Sequence, residues 1–341
     1  MTDSTFSGSP VAGSPVAGSA PAGSSSIPSG SAGFEPTSPA IAGTPAAQAA
    51  ATVRKLAQRL TVATLILMAI GSATRVMNAG LACPDWPLCY GQLVPQNQMN
   101  LQVFLEWFHR LDASMVGFGT MALAGLSWWK RSLLPPWVPG LASFALFLVV
   151  FQGILGALTV TELLPFAIVT AHLGTALLFF LTLLTLALLL VPYHPTGTTG
   201  HLVWPSTIAT GLVYGQSILG GLVASQWALH QCLAVSTLCG VIHSHIVGVF
   251  PATIASLVVV VWAWRTPGLH PWLRNLGRGV ALALVGQVAI GIAAFKLRLQ
   301  VEPLTVSHQT VGAILLGVLM AFTVLAWRDR HLMQSPAAFK P

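Results

Sequence analysis

Four histidines set in long apolar runs, His109, His172, His245 and His308, recur at a fixed interval. The first two are 63 residues apart (172 − 109) and so are the last two (308 − 245). Ionisable side chains inside a membrane are costly and usually functional, and neutral imidazole is a common axial ligand of haem iron. Two histidines on facing helices can clamp a porphyrin within a bundle. The spacing therefore predicts two bis-histidine haem sites, His109 with His172 and His245 with His308. A lone histidine would be read as a hydrogen-bonded packing residue, but four at duplicated positions favour the ligand reading. A proton relay would scatter such residues through the membrane depth, whereas these stand at one level. His243 competes with His245 for the third position, and only the 63-residue match and the local text favour His245.

The two pairs differ in their surroundings. In EWFHR, Glu106 stands three residues before His109 and four before Arg110, so all three share a helix face and Glu106 can pair with Arg110. Ile242 and Ile246 take the corresponding places in the second half. A carboxylate beside one haem alone implies that the first site does chemistry and the second holds a fixed cofactor. Glu106 is then a candidate general base, proton acceptor or stabiliser of a cationic intermediate, and the plainer role is partner of Arg110. Arg75 and Arg110 are candidates to pair with haem propionates, which suit the guanidinium fork. Asp112 receives no role.

The cysteines follow the same duplication. Cys83 and Cys89 lie in CPDWPLC, and Cys232 and Cys239 in CLAVSTLC of the second half. Both pairs fall in loops assigned to the oxidising side, where disulfides persist. Zinc is the rival reading, but the pairs are far apart in sequence and neither has the spacing of a zinc ribbon. Structural bracing and thiol exchange with a partner are both open roles for these disulfides.

What must position these groups is set by composition. Only 7% of the 341 residues are charged and 54% are hydrophobic, too few charges to cover a water-soluble globule. The net charge of +7 would suggest nucleic acid in a soluble protein, but the basic residues form short clusters between apolar runs, which excludes a nucleic-acid patch and reads as topology. Eight runs are long enough to span a bilayer as helices: Thr61 to Ala79, Trp107 to Trp128, Val138 to Val160, Phe166 to Val191, Val203 to Ser225, Cys239 to Trp264, Gly279 to Leu297 and Thr305 to Trp327. Eleven of the 15 Lys and Arg residues fall on one side of these runs, which places both termini in the cytoplasm. Five of the six acids beyond the tail lie at or near the opposite face. A transporter would place polar groups near the midplane, and the midplanes are almost wholly apolar.

The histidine interval, AHLGTALLFF against SHQTVGAILL, and QGILGALTV against QSILGGLVA mark an internal duplication. The expected fold is an all-α integral membrane protein, with eight transmembrane helices in two tandem four-helix bundles related by a pseudo-twofold along the membrane normal. Residues 1–50 form a disordered Gly/Ser/Ala/Pro-rich tail. The N-terminal bundle with the substrate haem spans 51–195, the C-terminal bundle with the cofactor haem spans 196–330, and a cytoplasmic tail covers 331–341.

The run AGLACPDWPLCYGQLVP, then EWFHR, AHLG, SHIVG and SHQT, resembles the haem A synthase family of bacterial type with paired outer-loop cysteines. The resemblance covers about 52–327. It implies oxidation of the C8 methyl of haem O to a formyl group by successive hydroxylations, giving haem A for terminal oxidases. By motif, Glu106, His109 and His172 belong to the substrate half, His245 and His308 ligate a haem b cofactor, and Cys83 and Cys89 match the outer-loop pair. Ile246 departs from the Arg that many members carry after the third histidine. The implied setting is the bacterial cell membrane, with haem O and lipid as small-molecule partners. Haem O synthase, terminal-oxidase assembly factors, a thiol-disulfide partner and an oligomer are further expectations. The alternative is a membrane b-type cytochrome that passes electrons through two permanent bis-histidine haems.

Overall fold

The computed structural model describes residues 43–223, 237–297 and 300–334, with side chains from residue 240 onward in the second of these segments. Among the described residues there are eight long helices and no β-strand. In chain order they are α1 (Pro45–Val76), α2 (Leu101–Trp129), α3 (Trp137–Thr161), α4 (Phe166–Leu189), α5 (Val203–Val223), α6 (Thr237–Arg265), α7 (Pro271–Lys296) and α8 (Glu302–Gln334). Six of them, α1, α3, α4, α6, α7 and α8, are long and apolar enough to cross a membrane. In the other two, polar side chains interrupt the apolar stretch: α2 carries Glu106, Arg110 and Asp112, and α5 carries Tyr214 and Gln216 among several hydroxyl side chains.

Several helices outrun the apolar segments that announce them. Pro45 enters α1 at its first turn, the side chain of Thr44 accepts from the Ala47 amide at 3.2 Å, and the Ala-rich stretch that follows favours helix. Helix α1 thus begins six residues inside the segment read as tail, and Ala49, Val53 and Ala57 are fully buried. Residues 1–42 lie outside the described residues. At the other end, α8 runs to Gln334, past the expected boundary at residue 330.

Hydroxyl side chains inside these helices cost little because they return a hydrogen bond to the preceding turn. Thr61, Thr64, Thr120 and Ser127 each donate to the carbonyl four residues earlier, at 2.7–2.8 Å.

Helices α1 to α4 pack in a ring, each on its neighbours in order, with α4 closing on α1; α5 to α8 do the same, with α8 closing on α5. The two sets meet through α1 on α8, α4 on α5 and α4 on α8. Their close-packed cores lie toward the end that carries the chain termini. One draws on Val53, Leu123, Val138 and Leu183, the other on Val203, Val259, Leu273 and Leu319. The four histidines occupy the opposite half of both rings, where they are half-buried.

The segment joining the two sets is tied down by one carboxylate. Asp329 on α8 is fully buried. It accepts from the amides of Thr196 at 2.6 Å and Gly197 at 3.0 Å, from the Thr199 hydroxyl at 2.9 Å and from the Tyr193 phenol at 3.1 Å. Burial, followed by the negative charge of Asp329, pushes the Tyr193 phenol upward, so it stays a donor. Beside it, Arg328 donates to the carbonyls of Leu188 at 3.0 Å and Val191 at 2.6 Å, satisfying the open end of α4. Asp329→Ala removes the acceptor of four donors; the Thr196 and Gly197 amides are exposed and Thr199 keeps the Ala326 carbonyl, so the main cost is the buried Tyr193 phenol, about 1–3 kcal/mol. The expected result is a clear fall in thermal midpoint in detergent, with partial recovery in Asp329→Asn. An unchanged midpoint would show that the joining segment does not depend on this residue.

Candidate functional site

Each of the four histidines stands on an even-numbered helix and rests against a glycine on the preceding helix. A Cβ placed on Gly71 of α1 would stand 2.8 Å from His109 Cε1. On Gly156 of α3 it would be 3.4 Å from His172 Cε1, on Gly220 of α5 3.1 Å from His245 Cε1, and on Gly291 of α7 2.7 Å from His308 Cε1. The ring meets the backbone edge-on through the same carbon every time. At Gly71, Gly220 and Gly291 any larger residue would have to move the imidazole, so the glycines are there for close approach.

Within each ring of helices the two histidines come from opposite corners, α2 and α4 in the first, α6 and α8 in the second. The predicted partners of each pair thus stand on two helices of the same ring. His243 is exposed, whereas His245 is half-buried and sits on Gly220 with Gln216 beside it.

The surroundings contain polar atoms that the protein leaves without partners. Nδ1 of His109, His172 and His308 is buried and makes no hydrogen bond, as is Oε1 of Gln152, Gln216 and Gln287. His245 differs from the other three in that its Nδ1 lies 2.9 Å from Gln216 Nε2. Half-buried imidazoles on two helices of one ring, each against a glycine and in largely apolar surroundings, are a donor set that could hold haem iron. The residues present fit that group.

Glu106 is 3% exposed. Its carboxylate is fully engaged: one oxygen accepts from Arg110 at 2.5 Å, the other from the Cys83 amide at 2.8 Å. Arg110 in turn donates to the carbonyls of Asp85 and Leu88, both at 2.6 Å, and of Cys83 at 3.3 Å. Cys83 and Cys89 form a disulfide, with Cα atoms 4.7 Å apart. Glu106 and Arg110 thus clamp the disulfide loop onto α2, and a sequence reading that gave Arg110 to a propionate missed those carbonyls. Asp85, given no role from sequence, closes the same loop by accepting from the amides of Tyr90 at 2.6 Å and Gly91 at 2.8 Å. The left-handed backbone at Tyr90 and Gly91 makes this turn.

Arg75 reaches across from α1 to α5 and donates to the Gly221 carbonyl at 2.7 Å. Next to the Gly71 seat, Ser72 donates to Gln309 of α8. The second cysteine pair, Cys232 and Cys239, lies outside the residues whose side chains are described.

The pattern of the COX15-CtaA family, described as cytochrome oxidase assembly protein, matches residues 54–320. The chain belongs to this family. A relative named heme A synthase from Shewanella oneidensis is 28% identical over 320 residues, covering 77% of this chain and 93% of the relative. The heme A synthase of Rhodospirillum centenum is 27% identical over 326 residues, covering 78% and 84%. That of Bacillus pumilus is 30% identical over 167 residues, covering 48% of this chain and 53% of its own. The match takes in all four histidines, Glu106 and the disulfide loop, and it leaves out the segment before residue 54.

Proposed function

We propose that this membrane protein is a haem A synthase, oxidising the C8 methyl group of haem O to a formyl group. The observation that carries the reading is the repeated seat: four histidine–glycine contacts in two facing pairs, only one of which has a buried carboxylate one helical turn away. Family membership and relatives named for this activity support it.

In this reading His109 and His172 would hold the substrate haem, and Glu106 would stabilise or deprotonate the oxidised intermediate at the methyl position. His245 and His308 hold a haem b cofactor, which when bound supplies one-electron redox capacity. The chain's own residues orient the substrate through two opposed imidazoles and keep the site close to the loop end, and the lipid beside the bundle accommodates the farnesyl tail. Arg110 holds the Glu106 carboxylate in place. The eight helices form two four-helix bundles related by a pseudo-twofold, all of them spanning the cell membrane of a bacterium with both termini cytoplasmic. The repeated ring packing and the skew of Lys and Arg support this. Haem O synthase and oxidase assembly factors are the partners that would supply the substrate and use the product.

The haems that co-purify with the chain test this reading. Haem O or a hydroxylated haem beside haem B is expected from chromatography of the extracted pigments. Haem B alone at two per chain would replace the synthase with an electron-passing cytochrome. The seats offer a further check: Gly291→Val should push His308 aside and lower retained haem B by about tenfold or more, read from the haem absorbance per protein. Full retention would show that the seat is dispensable.

A further inference from the structure

At the end of the second ring that carries the chain termini, α6 stops at Arg265 and α7 begins at Pro271. Between these helix ends lies a cleft of about 530 Å³ lined by Trp264, Arg265, Thr266, Pro267, Arg274 and Arg278. Its floor is fixed, because the buried Thr266 hydroxyl donates to the Trp262 carbonyl at 2.7 Å and meets His201 Nε2 at 2.8 Å. Three guanidinium groups thus border one space. Other cations at this end are taken up by the protein itself. Arg54 donates to the Leu190 carbonyl at 3.3 Å and Arg328 to those of Leu188 and Val191, while Lys130, Arg131 and Arg330 lie over the rings of Trp129, Trp128 and Trp327. Among the described residues, the side chains of Arg265 and Arg274 make no hydrogen bond or ion pair, and that of Arg278 meets only Asn275, at 3.2 Å. No described carboxylate offsets them: Asp329, the one acid at this end among the described residues, is fully buried and bonded to the joining segment. Like charges gathered without a counter-ion repel, so three of them around a cleft have an anion as their complement.

We propose that this cleft binds a phosphate group, and that its occupant is the phosphodiester headgroup of an anionic membrane lipid. The planar guanidinium fork matches the oxygens of a phosphate. Helices α6 and α7 are both long and apolar enough to cross a membrane, so their ends lie where headgroups lie. A lipid can therefore seat its phosphate in the cleft with its acyl chains along the apolar helix faces, which a free phosphate cannot do. Trp264 and Trp272, both exposed at this level, are the amphipathic rings that settle at headgroup depth. Basic pockets between helix ends on the positively charged side are the general form in which helical bundles hold such headgroups. The loop between α2 and α3 is basic too, through Lys130 and Arg131, but its cations rest on tryptophan rings instead of bordering this cleft.

The test is native mass spectrometry of the full-length protein released from detergent micelles, titrated with phosphatidylglycerol or with phosphatidylcholine of the same acyl chains. Phosphatidylglycerol is expected to bind the wild type the more tightly of the two. Arg274→Gln and Arg278→Gln, which keep most of the basic cluster, should each weaken it about fivefold, and removal of all three arginines together about tenfold or more. Lys130→Gln combined with Arg131→Gln takes two charges from the α2–α3 loop without touching the cleft and should leave phosphatidylglycerol binding as it is. Equal loss in that control, wild-type binding in both single variants, or no preference for phosphatidylglycerol over phosphatidylcholine would overturn the site. Inorganic phosphate, added against chloride at equal ionic strength, should displace no more lipid than chloride does. Displacement by phosphate alone would overturn the lipid as occupant in favour of a free anion.

Discussion

Replacing His245 or His308 by Ala is expected to give a chain that still folds but loses its retained haem b and, with it, all conversion of haem O. These imidazoles lie in the loop-end halves of α6 and α8, away from the close-packed core built on Val203, Val259, Leu273 and Leu319. Truncation therefore removes a ligand without opening the core. Outer-sphere partners of metal ligands are typically worth 10–100-fold in affinity, so loss of the ligand itself should exceed about 100-fold. His109→Ala and His172→Ala should behave differently, abolishing conversion while haem B stays bound. The check is haem B per chain by pyridine haemochrome in all four variants. Equal loss in all four would mean that the two pairs do not form separate sites.

Glu106→Ala is expected to leave haem B content intact and to reduce haem A formation by about 100-fold or more, the range typical of a lost general acid or base. The structure adds a complication that the sequence did not contain. Both carboxylate oxygens are committed, to Arg110 and to the Cys83 amide, so the Ala variant also frees the disulfide loop. Glu106→Gln separates the two roles. A neutral amide can still accept from Cys83 through its carbonyl oxygen, but it cannot take up a proton or offset charge at the reacting carbon. Activity lost in both variants assigns Glu106 to the chemistry. Activity restored by Gln would make Glu106 a loop anchor and remove it from the reaction. Product analysis for haem O, a hydroxylated haem and haem A distinguishes these outcomes.

Much of this arrangement was legible in the sequence because a duplicated membrane protein repeats its expensive residues. The 63-residue histidine interval paired His109 with His172 and His245 with His308, and the structure sets the members of each pair on two helices of one ring. The apolar runs located all eight helices, because lipid admits no other backbone for segments of that length. Their ends were less legible. Helix α1 begins at Pro45 through the Thr44 cap and Ala-rich turns that no hydropathy count registers.

What the sequence concealed were contacts between a side chain and a distant backbone. Arg110 spends its guanidinium on carbonyls of Cys83, Asp85 and Leu88, and Asp329 binds amides more than a hundred residues away. Neither follows from residue type or spacing, because a backbone carbonyl or amide leaves no mark in the sequence. The glycine seat did leave one, since QGILG, QSILG and QVAIG are plainly related. Two of these served only as signs of duplication, and their purpose emerged when each glycine was found under a histidine.

The central claim is that this chain makes haem A. It is tested most directly by expressing it in a bacterial host that makes haem O but has no haem A of its own, and chromatographing the acid-acetone haem extract. Haem A, identified by its mass and its formyl-shifted absorption, is expected with the wild-type chain and should be absent with His109→Ala. Haem O and haem B alone, from membranes that hold the wild-type protein loaded with haem, would contradict it.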